Sequence, residues 1–367
     1  MESIPVFSPW IDQDDIDSVT RALSLGWISG TSPIVGEFET AISSICRRKY
    51  VAAVANGSVA LDLAFEALNL APGDEVIVPN FTIISCLAAV IRSGATPILV
   101  DVDFFTWNMR LQDVRNALTE RTKAVLVVHT YGLPAQVEQI AEFCKEKNLF
   151  LVEDAAEAHG INVHGKPCGS FGDISTFSFY ANKHVTSGEG GAVCTDSKDT
   201  YERILKMRNL AFGKLKRFEH EELGWNYRIS GLASALGISQ IKKLPSTIGI
   251  KQSQGHRYNE LLSNYANIFT LPAKEANGSK NNFWVYGIVF QNEKSRTRAV
   301  TRLIDKGIET RPFFHPLSEQ PVFKKHFSKP HFPLLNSLKL GKRGIYLPTG
   351  SHVTESIQNK IVEVLIT

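Results

Sequence analysis

Cysteine is scarce in this sequence, and no cysteine falls where a covalent staple or a metal would need it. The five are Cys46, Cys86, Cys144, Cys168 and Cys194 in 367 residues. An odd number, widely spaced and without a Cys-x-x-Cys pair, argues against a disulfide framework and a zinc site. Cys46, Cys86 and Cys144 sit in apolar stretches, where a thiol serves as a small hydrophobe. No apolar run approaches the roughly 20 residues that cross a bilayer. The opening Met1-Glu2-Ser3-Ile4-Pro5 lacks the basic-then-apolar pattern of a secretory leader. A dominant charge sign is also missing: 40 Lys plus Arg against 37 Asp plus Glu leaves +3. That imbalance is too small and too evenly spread to predict a nucleic-acid or membrane surface. Internal repeats and low-complexity segments are lacking as well. These absences predict a cytoplasmic, soluble protein without a metal, nucleic acid or membrane as partner.

What remains is ordinary globular material, 43% hydrophobic and 21% charged, long enough for two domains or three. The first 35 residues are loop-rich, with an amphipathic helix predicted over 12–25 and a second over 36–48. From Tyr50 to about Pro245, short apolar strands alternate with helices. Strands are predicted over 51–54, 75–78, 96–100, 124–128, 149–152, 174–179 and 191–194, with helices over 59–68, 84–93 and 136–147. Such alternation predicts an α/β domain on a mainly parallel sheet, with ligands at the carboxyl ends of the strands. After Pro245 the pattern changes to a helix over 247–263, a strand over 284–290, a helix over 295–306 and a strand over 309–314. The expected organisation is therefore residues 1–245 as an N-terminal segment plus large domain, and 246–367 as a smaller α+β domain.

Three stretches at the predicted strand ends carry chemistry. Asn56-Gly57-Ser58 opens a helix, whose free N–H groups and positive dipole end suit a phosphate, and the same residues also suit a plain N-cap by Ser58. Glu153-Asp154 ends an apolar strand, where carboxylates are costly unless partnered. One of them could face a protonated heteroaromatic nitrogen, or both could cap the helix that follows. The aromatic strand Ser175-Thr176-Phe177-Ser178-Phe179 leads through Tyr180-Ala181-Asn182 to Lys183, and then to the glycines Gly188, Gly190 and Gly191. A desolvated lysine at a strand end has a lowered pKa, so its neutral amine can attack an aldehyde. Ser178, five residues earlier, can add a hydroxyl to the phosphate site. A lysine taken alone is usually a solvated surface residue.

In order along the chain stand Trp27-Ile28-Ser29, Asn56-Gly57-Ser58-Val59-Ala60-Leu61, Gly73-Asp74-Glu75-Val76-Ile77-Val78-Pro79 and Glu153-Asp154-Ala155-Ala156. Ser178-Phe179-Tyr180 through Lys183, Gly188-Glu189-Gly190-Gly191 and Gly224-Trp225-Asn226-Tyr227-Arg228 follow. With these landmarks the sequence resembles, over nearly its full length, the DegT/DnrJ/EryC1/StrS nucleotide-sugar aminotransferases. The resemblance implies the aspartate-aminotransferase-like fold (type I) and pyridoxal 5'-phosphate (PLP, alternating with PMP) as cofactor. It makes Lys183 the Schiff-base lysine and proton shuttle, and Asp154 the partner of the pyridinium nitrogen. Gly57, Ser58 and Ser178 become phosphate holders, joined by Asn226 from a neighbouring subunit, so that the site needs a homodimer. Glu157 takes a place beside the cofactor's 3' oxygen where many members carry Gln. Pro79-Asn80-Phe81-Thr82-Ile83 departs from the family, which stacks an aromatic residue on the ring after the Thr. Either Ile83 or Phe81 takes that part here.

One branch of the family replaces the lysine with histidine and dehydrates a keto-sugar. Here His184 is only the neighbour and the position itself is Lys183, which implies amination. Glu157 and the segment Ile308-Glu309-Thr310-Arg311-Pro312-Phe313-Phe314-His315-Pro316-Leu317 resemble the branch that aminates C4 of GDP-4-keto-6-deoxymannose with glutamate to give GDP-perosamine. In that reading Arg311 meets the diphosphate, Phe313 and His315 line the sugar pocket, and Trp27 and His184 contribute to substrate binding. Ordinary packing and surface charge explain Arg311, Phe313 and His315 equally well. The alternatives are a UDP- or dTDP-linked 3-keto or 4-keto sugar, or a non-catalytic PLP-binding regulator. Surface-polysaccharide (O-antigen) synthesis is the setting the family implies.

Overall fold

The computed structural model describes residues 3–213, 217–327 and 330–367. Helices α1 (Gln13–Ser24) and α2 (Pro33–Cys46) come first. Strand β1 (Tyr50–Val54) then leads into α3 (Gly57–Leu68), β2 (Glu75–Pro79) into α4 (Ile84–Arg92), and β3 (Thr96–Val100) into α5 (Leu111–Ala117). β4 (Thr122–Val128), α6 (Val137–Glu146) and β5 (Phe150–Asp154) follow, then a hairpin of β6 (Asn162–Val163) and β7 (Lys166–Pro167). β8 (Ile174–Ser178) and β9 (Gly191–Thr195) complete a seven-stranded sheet of order β1-β9-β8-β5-β4-β2-β3. Pairings from β8 through β3 are parallel, and β9 alone runs against its two neighbours. The mainly parallel sheet expected from the alternation is thus present.

Parallel strands covered on both faces must be apolar on both faces. On β4, Val125 and Val127 join one core with Phe38, Ile140 and Phe177, while Ala124, Leu126 and Val128 join the other with Phe65, Leu87 and Val90. All five cysteines are buried and unbonded.

Beyond the sheet lie α7 (Lys198–Arg208) and α8 (Gly231–Leu262). α8 is 32 residues long, with Pro245 inside it. The helix expected over 247–263 therefore begins sixteen residues earlier, and it crosses the expected junction at 245. Ser230 caps its start by accepting from the Ala233 N–H, and its N-terminal half packs on α1 and α2. The smaller sheet has the order β10 (Phe269–Thr270), β13 (Tyr286–Phe290), β15 (Gly344–Leu347), β14 (Arg311–Pro312), with a hairpin of β11 (Glu275–Ala276) and β12 (Ser279–Lys280) beside it. The strand predicted over 309–314 shrinks to two residues because only Arg311 and Pro312 pair with β15. Helices α9 (Glu293–Asp305), α10 (Pro321–His326), α11 (Leu335–Arg343) and α12 (Glu355–Ile366) finish the chain. Among the described residues no helix is long and apolar enough to cross a membrane.

Candidate active site

A cavity of about 580 Å³ opens at the carboxyl ends of β1, β2, β5 and β8. Its walls include Asn56, Gly57, Ser58, Ile83, Asp154, Glu157, Ser178 and Lys183, which the sequence places far apart.

Gly57 and Ser58 form the first turn of α3, and the N-cap is Asn56, whose Oδ1 accepts from the Val59 N–H at 3.0 Å. Ser58 is therefore not the cap. Its hydroxyl is free to face the cavity, where it meets the Ser85 hydroxyl at 2.7 Å. Gly57 is required by proximity, since a Cβ there would lie 2.7 Å from the Ser178 Cβ. Helix N–H groups plus three hydroxyls suit a phosphate.

Asp154 is the last residue of β5 and is buried. The expected strand stopped before the acidic pair, and the structure carries it through both residues. Oδ1 of Asp154 accepts from the Ala156 N–H at 3.0 Å, and Oδ2 has the Cys86 thiol at 3.5 Å. Burial holds its pKa above the usual carboxylate value. A buried carboxylate with so weak a set of partners is suited to a cationic ring nitrogen. Glu153 points elsewhere: it accepts from the N–H groups of Gly169, Phe171 and Gly172 and from His129 Nε2 at 3.0 Å. The His129 Nδ1 in turn accepts from the Ala135 N–H, so the Nε2–H is the donor to Glu153. Glu153 therefore belongs to the framework, and neither acidic residue caps a following helix.

Lys183 is not at a strand end. β8 stops at Ser178, and Lys183 lies five residues on in a loop, its N–H donating to the Tyr180 carbonyl. Its Nζ stands 3.6 Å from Glu157 Oε1 and 3.7 Å from the ring centre of Trp284. Burial lowers the lysine's pKa, against the opposing pull of Glu157 and Asp154. Burial likewise pushes Glu157 up to about 7, although Lys183 pulls it down. The other oxygen of Glu157 accepts from the Tyr131 N–H at 2.8 Å, and Tyr131 is held with φ 59° to make that bond. A buried amine of lowered pKa in the cavity wall is equipped for nucleophilic and proton-transfer chemistry.

Between the two ring-covering candidates, Ile83 lines the cavity and is 42% exposed, whereas Phe81 is buried among Tyr131, Phe313 and Phe314. None of the five expected substrate residues lines this cavity. Phe313 is core, packed on Trp107 and Tyr131, and its neighbour Phe314 faces the cavity. His184 is buried, with Nε2 toward the Asn282 carbonyl, and it lines a separate smaller pocket. Arg311 is exposed and paired with Glu309 at 2.8 Å, and His315 is exposed outside the cavity. Trp27 lies under the Arg21 guanidinium, away from the cavity. Asn226 is exposed and accepts from Arg228 Nε, also outside this chain's cavity. Sequence reasoning missed Trp284, Tyr180, Tyr346 and Arg92 in the cavity wall. The register Arg311↔Tyr346 was the one signal for Tyr346, and it is visible only once β14 and β15 pair.

The donor set therefore fits pyridoxal phosphate at each of its polar ends. A family model described as the DegT/DnrJ/EryC1/StrS aminotransferase family matches residues 9–366. A GDP-perosamine synthase of Escherichia coli is 37% identical, covering 95% of this chain and 94% of that protein. A GDP-perosamine synthase of Vibrio cholerae is 35% identical, covering 94% of each. Among solved structures, an aminotransferase from Streptoalloteichus hindustanus superposes with a TM-score of 0.92 at 27% identity, covering 99% of this chain and 97% of that one.

Proposed function

Since the chain belongs to the DegT/DnrJ/EryC1/StrS aminotransferase family and is a PLP-dependent enzyme, we propose that it moves an amino group from glutamate to C4 of GDP-4-keto-6-deoxymannose, giving GDP-perosamine. The observation that carries this reading is the end-to-end match to two proteins of that named activity. Glu157 beside Lys183 supports it from inside the site.

When bound, the cofactor supplies the electron sink for making and breaking the bonds at an amino-bearing carbon. The chain supplies the rest. Asp154 would pair with the cofactor's pyridinium nitrogen and help it keep its proton. Gly57, Ser58 and Ser178 would hold the phosphate, and Ile83 would cover the ring. Lys183, once its amine is free, takes a proton from the carbon of the donor and returns one to the sugar carbon. Glu157 would serve the cofactor's 3' oxygen. Asn226, outside its own chain's cavity, serves the cavity of a partner subunit in a homodimer. Residues 1–245 and 246–367 act as the two domains, with α8 common to both. The proposed setting is cytoplasmic synthesis of a surface polysaccharide such as O-antigen.

GDP-, UDP- and dTDP-linked keto-sugars, each offered with glutamate and followed by mass spectrometry, test the substrate. Product from only the GDP-linked 4-keto-6-deoxy sugar is expected. Amination of only UDP- or dTDP-linked sugars overturns the substrate, and a yellow protein that glutamate does not bleach overturns catalysis in favour of a cofactor-binding regulator.

A further inference from the structure

Trp284 belongs to none of the motifs that mark the cofactor site, yet its ring stands directly beside the Lys183 amine. The Nζ lies 3.7 Å from the ring centre, over the face. A cation is attracted there by the ring quadrupole, and most strongly by tryptophan. On the other side of the amine, Glu157 Oε1 stands 3.6 Å away.

One side-chain contact and two backbone contacts hold Trp284 in place. Its Nε1–H donates to the carbonyl of Asn182, the residue before the lysine, at 2.8 Å. Its own carbonyl accepts from Lys251 Nζ at 3.0 Å. Lys251 is buried in α8 and also donates to Thr349 Oγ1 at 2.9 Å, so one ammonium ties Trp284 to the loop after β15. Gly132, at φ 97°, brings its backbone so close to Trp284 that a Cβ would stand 2.6 Å from the Trp284 nitrogen. A tryptophan present only to fill space would need none of these polar ties. Here the backbone ties place the residue and the Nε1–H bond turns the ring toward the amine, and the ring also forms cavity wall.

We propose that Trp284 is a catalytic residue of this enzyme: its indole face seats the Lys183 ammonium whenever that amine is not joined to the cofactor. The proposal rests on Lys183 being the cofactor's lysine. The free lysine must hold a proton beside the reacting carbon and then release it. In a buried site the cost of desolvation drives the amine toward its neutral form. The ring face favours only the charged form, so it retains the proton without adding another carboxylate that would trap it as a salt bridge. The charged or titratable groups facing the amine are Asp154 at the end of β5, Glu157 in the turn after it, Cys86 on α4, and the imidazoles of His159 and His184. Burial keeps both imidazoles neutral, with His159 lowered to about 3. The two carboxylates and the ring are therefore what stabilise the ammonium.

Competitive labelling of Lys183 with trace acetic anhydride in the full-length, cofactor-free chain, read by peptide mass spectrometry across pH, gives the amine's titration midpoint. Tetrafluorotryptophan placed at position 284 keeps the shape and N–H of the ring and drains its face of negative potential. The expected result is a midpoint lowered by about 0.5–1.5 pH units, with Trp284→Phe in between. An unchanged midpoint in the fluorinated protein overturns the proposal, including the case in which only Trp284→Phe shifts, because that is packing. The labelling needs neither sugar nor glutamate, so a wrong substrate leaves it intact. If borohydride reduction fixes pyridoxal phosphate to a lysine other than Lys183, the reading of the cofactor lysine fails separately, and the proposal falls with it.

Discussion

Glu153 and Asp154 are adjacent on β5, both buried, and their surroundings could hardly differ more. Glu153 accepts from three backbone N–H groups and the His129 imidazole. Burial alone would raise its pKa, but His129 and the amide donors outweigh it and hold it below the usual value. Asp154 has one amide and a thiol, and burial wins. Successive residues of a strand face opposite sides of the sheet. One side here is closed by the turn at 169–172, and the other opens on the cavity. A saturated buried carboxylate is framework. An under-partnered one implies that something cationic comes to it.

The largest effect should come from the cation that already stands on the open side. Lys183→Ala is expected to lower turnover by at least about 1,000-fold and to abolish the visible absorbance of cofactor joined to that lysine. The variant should still fold, because the Glu153 framework is untouched. A variant that still turns over many times per active site would end the assignment of Lys183.

Next, the two carboxylates can be exchanged in their consequences. Asp154→Asn keeps the acceptor for the Ala156 N–H and removes only charge, so turnover should fall about 100-fold with little change in urea stability. Glu153→Gln sets an NH₂ against inward-pointing N–H donors and should cost about 3 kcal/mol. Its folded fraction should keep near-normal activity per bound cofactor. If Glu153→Gln abolishes catalysis in stably folded protein, the division between framework and site is wrong.

The pH dependence of stability carries the same contrast, with opposite signs. Glu157 is raised from 4.5 to about 7 in the fold, so the folded chain holds its proton more tightly than the unfolded chain. Its contribution is fully present below 4.5 and is lost as pH rises through about 7. Glu153 is lowered, so its contribution is present above the unfolded value and is lost as pH falls through its folded pKa. In cofactor-free protein, Glu157→Gln should therefore gain on the wild type between pH 4.5 and about 7, by up to about 3 kcal/mol. Urea unfolding at stepped pH reads it. A Glu157→Gln advantage that shrinks over that window would contradict the burial argument.

Much of this was legible before any coordinates. The alternation of strands and helices located the sheet, and the apolar run into Glu153-Asp154 located the strand whose end matters. Lys183 was recognisable from its place among ordered motifs, not from its own surroundings. What stayed hidden depends on which way a neighbour turns. Phe313 and Phe314 are adjacent and both aromatic, and only pairing of β14 with β15 decides that Phe314 faces the cavity. His184 follows Lys183 but leaves the cavity because the loop reverses there and buries its imidazole against Asn282. Trp284 comes from another part of the chain through α8 and Lys251, a contact that no local pattern encodes.

The smallest predicted effect probes the two sides through their cysteines. Cys86 lies 3.5 Å from Asp154, on the open side. Cys168 lies with its sulfur within 4.8 Å of the His129 and Glu153 ligand atoms, on the closed side. Burial raises both thiols, so both are neutral at ordinary pH, and neither can lend charge. Cys86 can still give Asp154 a weak S–H donor, which a carboxylate with one amide partner feels more than one with four donors. Cys86→Ala should therefore change the affinity for pyridoxal phosphate by about two- to fivefold, measured by fluorescence titration of the stripped protein. Cys168→Ala should leave that affinity unchanged and shift stability by no more than about 1 kcal/mol. Equal effects of the two on cofactor affinity would mean that the partners of each carboxylate do not set its role, and the contrast between Glu153 and Asp154 would lose its physical basis.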